Sequence, residues 1–432
     1  MEFWQQSQNC ARIVCPGVAL AKLFVLPPRK DEHGNEILKV QFIGSHQIWD
    51  GLTTYIWMRE FIHLLNMSQA ALSERLATSI DVEMVKQRLP LPQEALYPPI
   101  MGSPARQRWS WAITRILRHV RKPLLAAFRN PLCRDHAASK ALTSFSTVLD
   151  YSRRPPLVSA PCSIQISKLY TQRLHRLCRE AEVSIGAGCF ALAALVMMEL
   201  HEMAEPGITL ADRKPFVSGF PLNPRAFFNH KNEPDSLMLA FSDGIALPFL
   251  SSSLDLDGRI RLLARQAHRQ LSSYQKRARP SNEETKSRTL SSRGAGLVLA
   301  TQYISSIERA DALQPAALRS GFDPQGKYPA RPNGSGQTCG VSSVGRSDAI
   351  LKRGMFDLSG SGEDFAADFR GMLSGVRARD EECLIGIGGN DEGLWINASI
   401  DLSAIDPELV EIWRDRMQRV MAEQGTQPAS KL

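Results

Sequence analysis

A histidine, an aspartate and a glycine stand together where a predicted strand meets a predicted helix. His46, Asp50 and Gly51 follow the alternating apolar residues 37–44 and precede the helical pattern of residues 52–66. Histidine suits general base catalysis because its side chain titrates near neutral pH. Gly51 permits a tight backbone, and Asp50 could fix the loop by pairing with a cation. A histidine after a strand can also be purely structural, so the pattern by itself leaves both interpretations open.

Strand-like and helix-like segments are interleaved along the chain, which predicts an α/β fold with two lobes. Apolar alternation predicts β-structure at residues 11–26, with a break at Pro16-Gly17, and strands at residues 37–44, 215–222 and 245–250, and a hairpin at residues 384–400. Helical spacing predicts helices at residues 167–182, 186–202, 256–275 and 407–423. Proline-containing breakers predict an irregular segment over residues 67–104. We divide the chain into an N-terminal lobe (1–150), a C-terminal lobe (151–425) and a flexible tail (426–432).

The composition is typical of a globular protein and excludes several functional classes. Of the 432 residues, 43% are hydrophobic and 22% are charged. The most apolar run, residues 189–200, is too short to span a bilayer and predicts a buried helix. We expect no secretory signal, and the eight cysteines form no CxxC pair, so we expect reduced thiols. Metal and serine-triad chemistry lack support because the sequence has no HExxH or GxSxG motif.

Positive charge is concentrated in one segment. The formal net charge is +8, and residues 105–134 contain eight Lys or Arg and no acidic residue. Trp109 and Trp111 are interleaved with these cations, which predicts an amphipathic basic helix that ends near Pro123. Its basic face could simply be solvated, or it could contact coenzyme phosphates or an anionic membrane. Nucleic-acid binding is poorly supported because no recognised module accompanies the segment.

Five segments, in a fixed order, resemble one enzyme superfamily. His46-x-x-x-Asp50-Gly51 is similar to the HxxxDG motif of the coenzyme-A-dependent acyltransferases, which include chloramphenicol acetyltransferase, condensation domains of nonribosomal peptide synthesis and plant alcohol acyltransferases. The other four resemble the fungal trichothecene O-acetyltransferase branch: a helical pair at 167–194, the N-x-R element at 223–225, a strand and helix at 242–275, and the S-S-x-G strand at 341–346. The resemblance covers residues 11–420, and the order of the segments carries it.

The resemblance implies two lobes that face each other across a tunnel. Acyl-CoA would be a co-substrate, and no cofactor or metal would be bound. His46 would deprotonate a hydroxyl or amine of a small specialised metabolite, which would attack the thioester directly. Ser342 or Ser343 occupies the position of the donor to the oxyanion.

The resemblance also implies roles for four polar residues away from the reacting atoms. Asn223 and Arg225 would be structural, with Arg225 paired to Asp50. Lys276 and Arg277, in a polar loop, would contact the coenzyme phosphates. A solvated loop is the other reading of that cationic pair.

Two features of the motif region keep alternatives open. Only 45 residues precede His46, fewer than in these relatives, so we expect the first lobe to lack its first strand and helix. A catalytically lapsed member, or a condensation-like member that binds a carrier protein, is therefore the alternative. The single histidine, in place of a His-His pair, argues against a carrier protein. A third hypothesis is a peripheral membrane protein that uses the basic segment. For any of these functions we expect the protein to be a monomer.

The last three residues match a known targeting signal. The chain ends Ser430-Lys431-Leu432 after a polar, proline-containing tail. A terminal S-K-L sequence is read by the peroxisomal import receptor when it is exposed. The sequence therefore predicts a peroxisomal protein, and a cytoplasmic one if the match is coincidental.

Overall fold

The described part of the chain consists of an N-terminal group of helices and short strands and a larger C-terminal group built on one sheet. In this computed structural model it comprises residues 2–9, 13–14, 17–89, 91, 103–106, 108–109, 112–113, 125–135, 158–225, 235–242, 244–274, 317, 336–358, 366–378 and 381–422.

The N-terminal group delivers one strand directly into one long helix. Its elements are α1 (Glu2–Asn9), β1 (Ala21–Val25), β2 (Arg29–Lys30), β3 (Glu36–Ile37), β4 (Val40–Gly44), α2 (Gly51–Leu65), α3 (Gln69–Ser79) and α4 (Val82–Arg88). β1 and β4 are antiparallel, with Ala21 opposite Gly44. The end of β4 is thereby fixed, and the six residues that follow it lead to the first turn of α2.

The C-terminal group is a six-stranded mixed sheet with helices. Its elements are β5 (Ser159–Ser167), α5 (Lys168–Glu180), α6 (Ile185–Ala204), β6 (Phe216–Gly219), β7 (Pro221–Leu222), β8 (Ala240–Phe241), β9 (Ile245–Leu247), α7 (Leu256–Ser272), β10 (Cys339–Arg346), β11 (Cys383–Asn390), β12 (Gly393–Asp401) and α8 (Pro407–Arg419). The order in the sheet is β5-β12-β11-β10-β6-β9. β10 runs parallel to β6 and β11, and the other pairs are antiparallel. β7 and β8 form a separate short pair.

One face of this sheet carries the main hydrophobic core. Alternate residues of β5, such as Ile164 and Ile166, point to this face and are buried, as the period of a strand requires. α5, α6, α7 and α8 pack against them in one continuous cluster. At 20 residues, α6 is longer than the apolar run in the sequence and is long and apolar enough to cross a membrane, but most of it is buried inside the structure, so the predicted buried helix is confirmed.

Cysteines are part of the same core. Burial raises the pKa of Cys178 to about 11 and that of Cys189 to about 12, so both stay protonated thiols that pack as small apolar side chains. The six described cysteines are free; Cys10 and Cys15 lie outside the described residues.

The opposite face of the sheet meets the N-terminal group. Tyr55 and Ile62 of α2 form a small cluster with Leu351, and Val344 of β10 and Trp395 of β12 pack against it. α2 therefore lies over the strand that contains the predicted oxyanion serines.

Two sequence predictions are wrong. Residues 67–104 are not irregular throughout, because α3 and α4 occupy much of the segment; Ser68 and Asp81 accept hydrogen bonds from the amides of Ala71 and Met84 and start the two helices. The strand predicted after the break at Pro16-Gly17 is shorter than expected, since β1 begins only at Ala21. Gly17, with φ of 83°, lies in a turn, as that break predicts. Much of the predicted basic helix lies outside the described residues.

The predicted helices of the C-terminal lobe and the hairpin near its end are confirmed with small changes at their ends. The hairpin turns at Asp391 and Glu392, because Asn390 pairs with Gly393 across these two residues.

Candidate active site

The loop between β4 and α2 leaves His46 exposed and fixes its ring through one contact. His46 Nδ1 lies 2.8 Å from the carbonyl oxygen of Trp49. Because a carbonyl oxygen can only accept, Nδ1 carries the hydrogen in this contact. The neutral ring then has its lone pair on Nε2, which has no partner among the described residues. This arrangement suits a group that takes up a proton at Nε2.

The carbonyl that holds His46 is itself held by packing. A Cβ atom on Gly44 would lie 2.4 Å from the ring of Trp49, so the last residue of β4 has to be glycine for the indole to lie there. The same ring packs against Trp57 of α2, with centroids 5.3 Å apart. Strand, loop and helix are therefore locked around the Trp49 carbonyl.

Asp50 is an anchor whose two oxygens are both occupied. Its Oδ1 accepts the backbone amides of Leu52 at 3.0 Å and Thr53 at 3.1 Å, which caps α2. Its Oδ2 accepts Arg225 at 2.6 Å and the amide of Met238 at 3.0 Å. Asp50 therefore fixes the position of the loop and makes no contact with the His46 ring.

Arg225 pairs with Asp50, as the resemblance implies. The two side chains are 8% and 7% exposed, so this is a buried ion pair between residues 175 positions apart. Asn223 Oδ1 accepts both the amide of Arg225, at 3.1 Å, and its Nη1, at 3.2 Å. Arg225 also donates to the carbonyl of Ser236. Asn223 therefore aims the guanidinium, which ties the motif loop to the C-terminal group.

The two candidate serines of β10 lie on opposite faces of the strand. A Cβ atom on Gly186, in the first turn of α6, would lie 3.8 Å from Ser343 Oγ, so Ser343 faces the helices. Ser342 alternates with it and faces the other side. On that side, a Cβ atom on Gly51 would lie 3.2 Å from Val344 of the same strand. Ser342 is thus on the face that meets the motif, and Ser343 is not.

The comparisons with known proteins give a match in structure only. No family model matches the chain, and no curated sequence matches it. Among solved structures, the trichothecene 15-O-acetyltransferase of Fusarium sporotrichioides is similar at a TM-score of 0.54 and 9% identity, over 93% of this chain and 70% of that chain. The likeness shows that the chain shares the fold of that acetyltransferase.

Two further solved structures match with lower scores. SgcC5 of Streptomyces globisporus matches at a TM-score of 0.46 and 11% identity, over 98% of this chain and 76% of that chain. The condensation enzyme VibH matches at a TM-score of 0.37 and 13% identity, over 90% of this chain and 67% of that chain.

Some of the predicted site residues lie outside the described residues. They are Lys276 and Arg277, and the tail Ser430, Lys431 and Leu432. Within the described part of the chain, no group of three or more His, Cys, Asp or Glu side chains is arranged to hold a metal ion.

Sequence reasoning missed one segment that contacts the motif loop. Residues 235–238 lie along the motif: Trp57 Nε1 donates to the carbonyl of Asp235 at 2.9 Å, and the amide of Leu237 donates to the carbonyl of Ile48 at 3.1 Å. These contacts use the backbone of a loop, so no residue type or spacing in the sequence predicts them.

Proposed function

We propose that the chain is an acyltransferase that moves an acyl group from acyl-CoA to a hydroxyl or amine of a small specialised metabolite. The observation that carries this proposal is the exposed Nε2 of His46, left free to accept a proton by the contact between Nδ1 and the Trp49 carbonyl. The fold shared with an O-acetyltransferase supports the reaction class.

The proposed reaction needs no acyl-enzyme. His46 Nε2 removes the proton of the acceptor hydroxyl, and the oxygen attacks the thioester carbonyl carbon. The carbonyl oxygen becomes negative, and Ser342 Oγ donates a hydrogen bond to it from the face of β10 that meets the motif. When the intermediate collapses, the carbon–sulfur bond breaks and the thiolate takes the proton from Nε2. The products are an ester and free CoA.

The positioning of His46 depends on residues that do not react. The Asp50–Arg225 pair and the Trp49 indole hold the loop from two sides, so the imidazole does not have to be ordered at the moment of reaction. We assign Asp50, Gly51, Asn223 and Arg225 this positioning role.

A thiol-release assay tests the proposal. Purified protein is given a panel of acyl-CoAs with pooled polyketide and terpenoid alcohols, beside His46→Ala and the control His33→Ala. His33 lies in an exposed turn, so its loss should leave activity unchanged. We expect acceptor-dependent CoA release from wild type and His33→Ala and almost none from His46→Ala. Equal background release from all three folded proteins would instead indicate a lapsed or ligand-binding member of the fold.

We further propose that Ser430-Lys431-Leu432 directs the protein to peroxisomes through the import receptor. The test is the cellular location of a fusion with a fluorescent protein at the N-terminus, with and without the last three residues. Punctate fluorescence that coincides with a peroxisomal marker and becomes diffuse on deletion supports the proposal. Diffuse fluorescence from both forms contradicts it.

A further inference from the structure

A cavity of about 520 Å³ opens between α2, the end of β10 and the β11–β12 turn. It begins at Tyr55, which is four residues beyond Gly51 on α2 and therefore roughly 6 Å further along the helix axis. Its size suits a small organic molecule. His46 is not among the residues that line it, so the cavity is next to the motif and separate from the imidazole.

The floor of the cavity is apolar and partly aromatic. Tyr55, Leu351, Phe369, Met372 and Trp395 line it. A Cβ atom on Gly388 would lie 2.1 Å from the ring of Trp395, so glycine at this position of β11 is what allows the indole to lie flat against the strand. Such a floor favours a ligand with an apolar ring system.

One polar group in the cavity has no protein partner. Tyr55 is only 3% exposed, and no described residue accepts a hydrogen bond from its hydroxyl. Tyr55 lines the cavity, and its oxygen is not among the unpartnered side-chain atoms that are sealed from solvent. Burial raises the pKa of the Tyr55 phenol above its usual value, which keeps it protonated as a donor. The hydroxyl is therefore a donor that an acceptor oxygen of a bound ligand can engage.

The rim of the cavity is charged but balanced. Arg346 is paired with Asp348, and Arg353 is paired with Glu392. Lys352 and Asp391 complete the rim with one charge of each sign. A polyanion such as coenzyme A therefore finds no net positive charge here, whereas a neutral ligand pays no electrostatic penalty.

We propose that this cavity binds a neutral small molecule with an apolar ring system and an oxygen that accepts a hydrogen bond from Tyr55. If the proposed acyl transfer holds, this molecule is the acceptor, and the cavity holds the part of it remote from the reacting hydroxyl. Tyr55 and Trp395 then determine which acceptors fit.

The test compares two probes with the same ring skeleton. 1-Tetralone has a carbonyl oxygen that can accept from Tyr55, and tetralin lacks it. Ligand-observed NMR gives the dissociation constants for the full-length chain without any acyl-CoA. We expect Tyr55→Phe to weaken tetralone binding by about 3- to 10-fold, as the loss of one hydrogen bond predicts, and to leave tetralin binding unchanged. The control Tyr170→Phe, in the main core, should alter neither.

A second variant tests the location. Ala349 lines the cavity, so Ala349→Trp should abolish binding of both probes while circular dichroism shows a folded chain. Equal tetralone binding by wild type and Tyr55→Phe, or no binding of either probe to wild type, overturns the proposal. Displacement of tetralone by free CoA overturns the assignment to the acceptor.

The failure of this proposal and that of acyl transfer are distinguishable. Binding is measured without a donor, and His46→Ala should bind tetralone as wild type does. Tyr55-dependent binding by a chain that releases no CoA would leave the cavity assigned and the reaction refuted.

Discussion

The two faces of the six-stranded sheet are built for different purposes. On the helix face, four helices bury residues such as Leu192 and Trp413 completely. On the motif face, α2 contributes only a small cluster around Tyr55 and Leu351, beside a cavity and an exposed histidine. Close packing on one face supplies stability, and the other face can therefore leave room for a ligand. The same strand, β10, serves both faces through alternate residues.

The largest expected effect tests this division of stability. Trp413→Ala removes a fully buried side chain from the helix face and should lower the free energy of unfolding by about 3–5 kcal/mol. Trp395→Ala removes the same side chain type from the wall of the cavity and should cost about 1 kcal/mol. Urea unfolding of both variants gives the comparison. Equal losses of unfolding free energy would mean that the two faces contribute equally to stability.

The buried ion pair of the motif face is the exception to its looser packing. Arg225→Met leaves Asp50 buried without its cation and should cost about 3 kcal/mol. The matched control is Arg261→Met, which breaks a more exposed pair with Glu180 and should cost less than about 1 kcal/mol. Thermal and urea unfolding measure both. Similar losses for the two variants would show that the buried Asp50–Arg225 pair stabilises the fold no more than a surface ion pair does.

The two serines of β10 sharpen the comparison within one strand. If the proposed reaction holds, Ser342→Ala should lower kcat by about 100-fold, because it removes the donor to the oxyanion. Ser343→Ala should leave kcat nearly unchanged, because its hydroxyl lies beside Gly186 on the helix face. CoA release at saturating substrate is the measurement. The opposite ranking would move the reacting atoms to the helix face.

The sequence could predict the periodic elements of the helix face but not the contacts between distant segments at the motif face. Helical spacing and strand alternation predicted the final hairpin and the four helices of the C-terminal group, because their buried faces repeat with a fixed period. These helices are α5, α6, α7 and α8. The Asp50–Arg225 pair was accessible only through the resemblance, since residues 175 positions apart share no local pattern. The contacts of residues 235–238 with the motif, and the cavity at Tyr55, depend on how loops pack, which no period encodes. Missing the caps at Ser68 and Asp81 explains why α3 and α4 were not predicted.

The smallest expected effect concerns His201, at the end of the helix-face core. Burial is the largest cause that lowers the pKa of His201, and the nearby Arg213 guanidinium lowers it further, while a backbone hydrogen bond and the carboxylates of Glu205 and Glu202 act in the opposite direction. Its Nδ1 lies 2.9 Å from Arg213 Nη1, and because a guanidinium only donates, the ring is neutral in the folded chain. Phe128 packs edge-on against the ring, with centroids 4.6 Å apart.

A histidine whose pKa is lowered by folding makes stability depend on pH in one direction. Below the unfolded value of about 6.5, the unfolded chain takes up a proton that the folded chain resists, so stability is complete above that pH and is lost as the pH falls. His201→Gln keeps an acceptor for Arg213 and should reduce the loss of unfolding free energy between pH 7 and pH 5. Burial also lowers the pKa of His175, so part of the slope should remain. Identical slopes for wild type and variant, measured by urea unfolding, would show that the helix-face core tolerates a charge at this position.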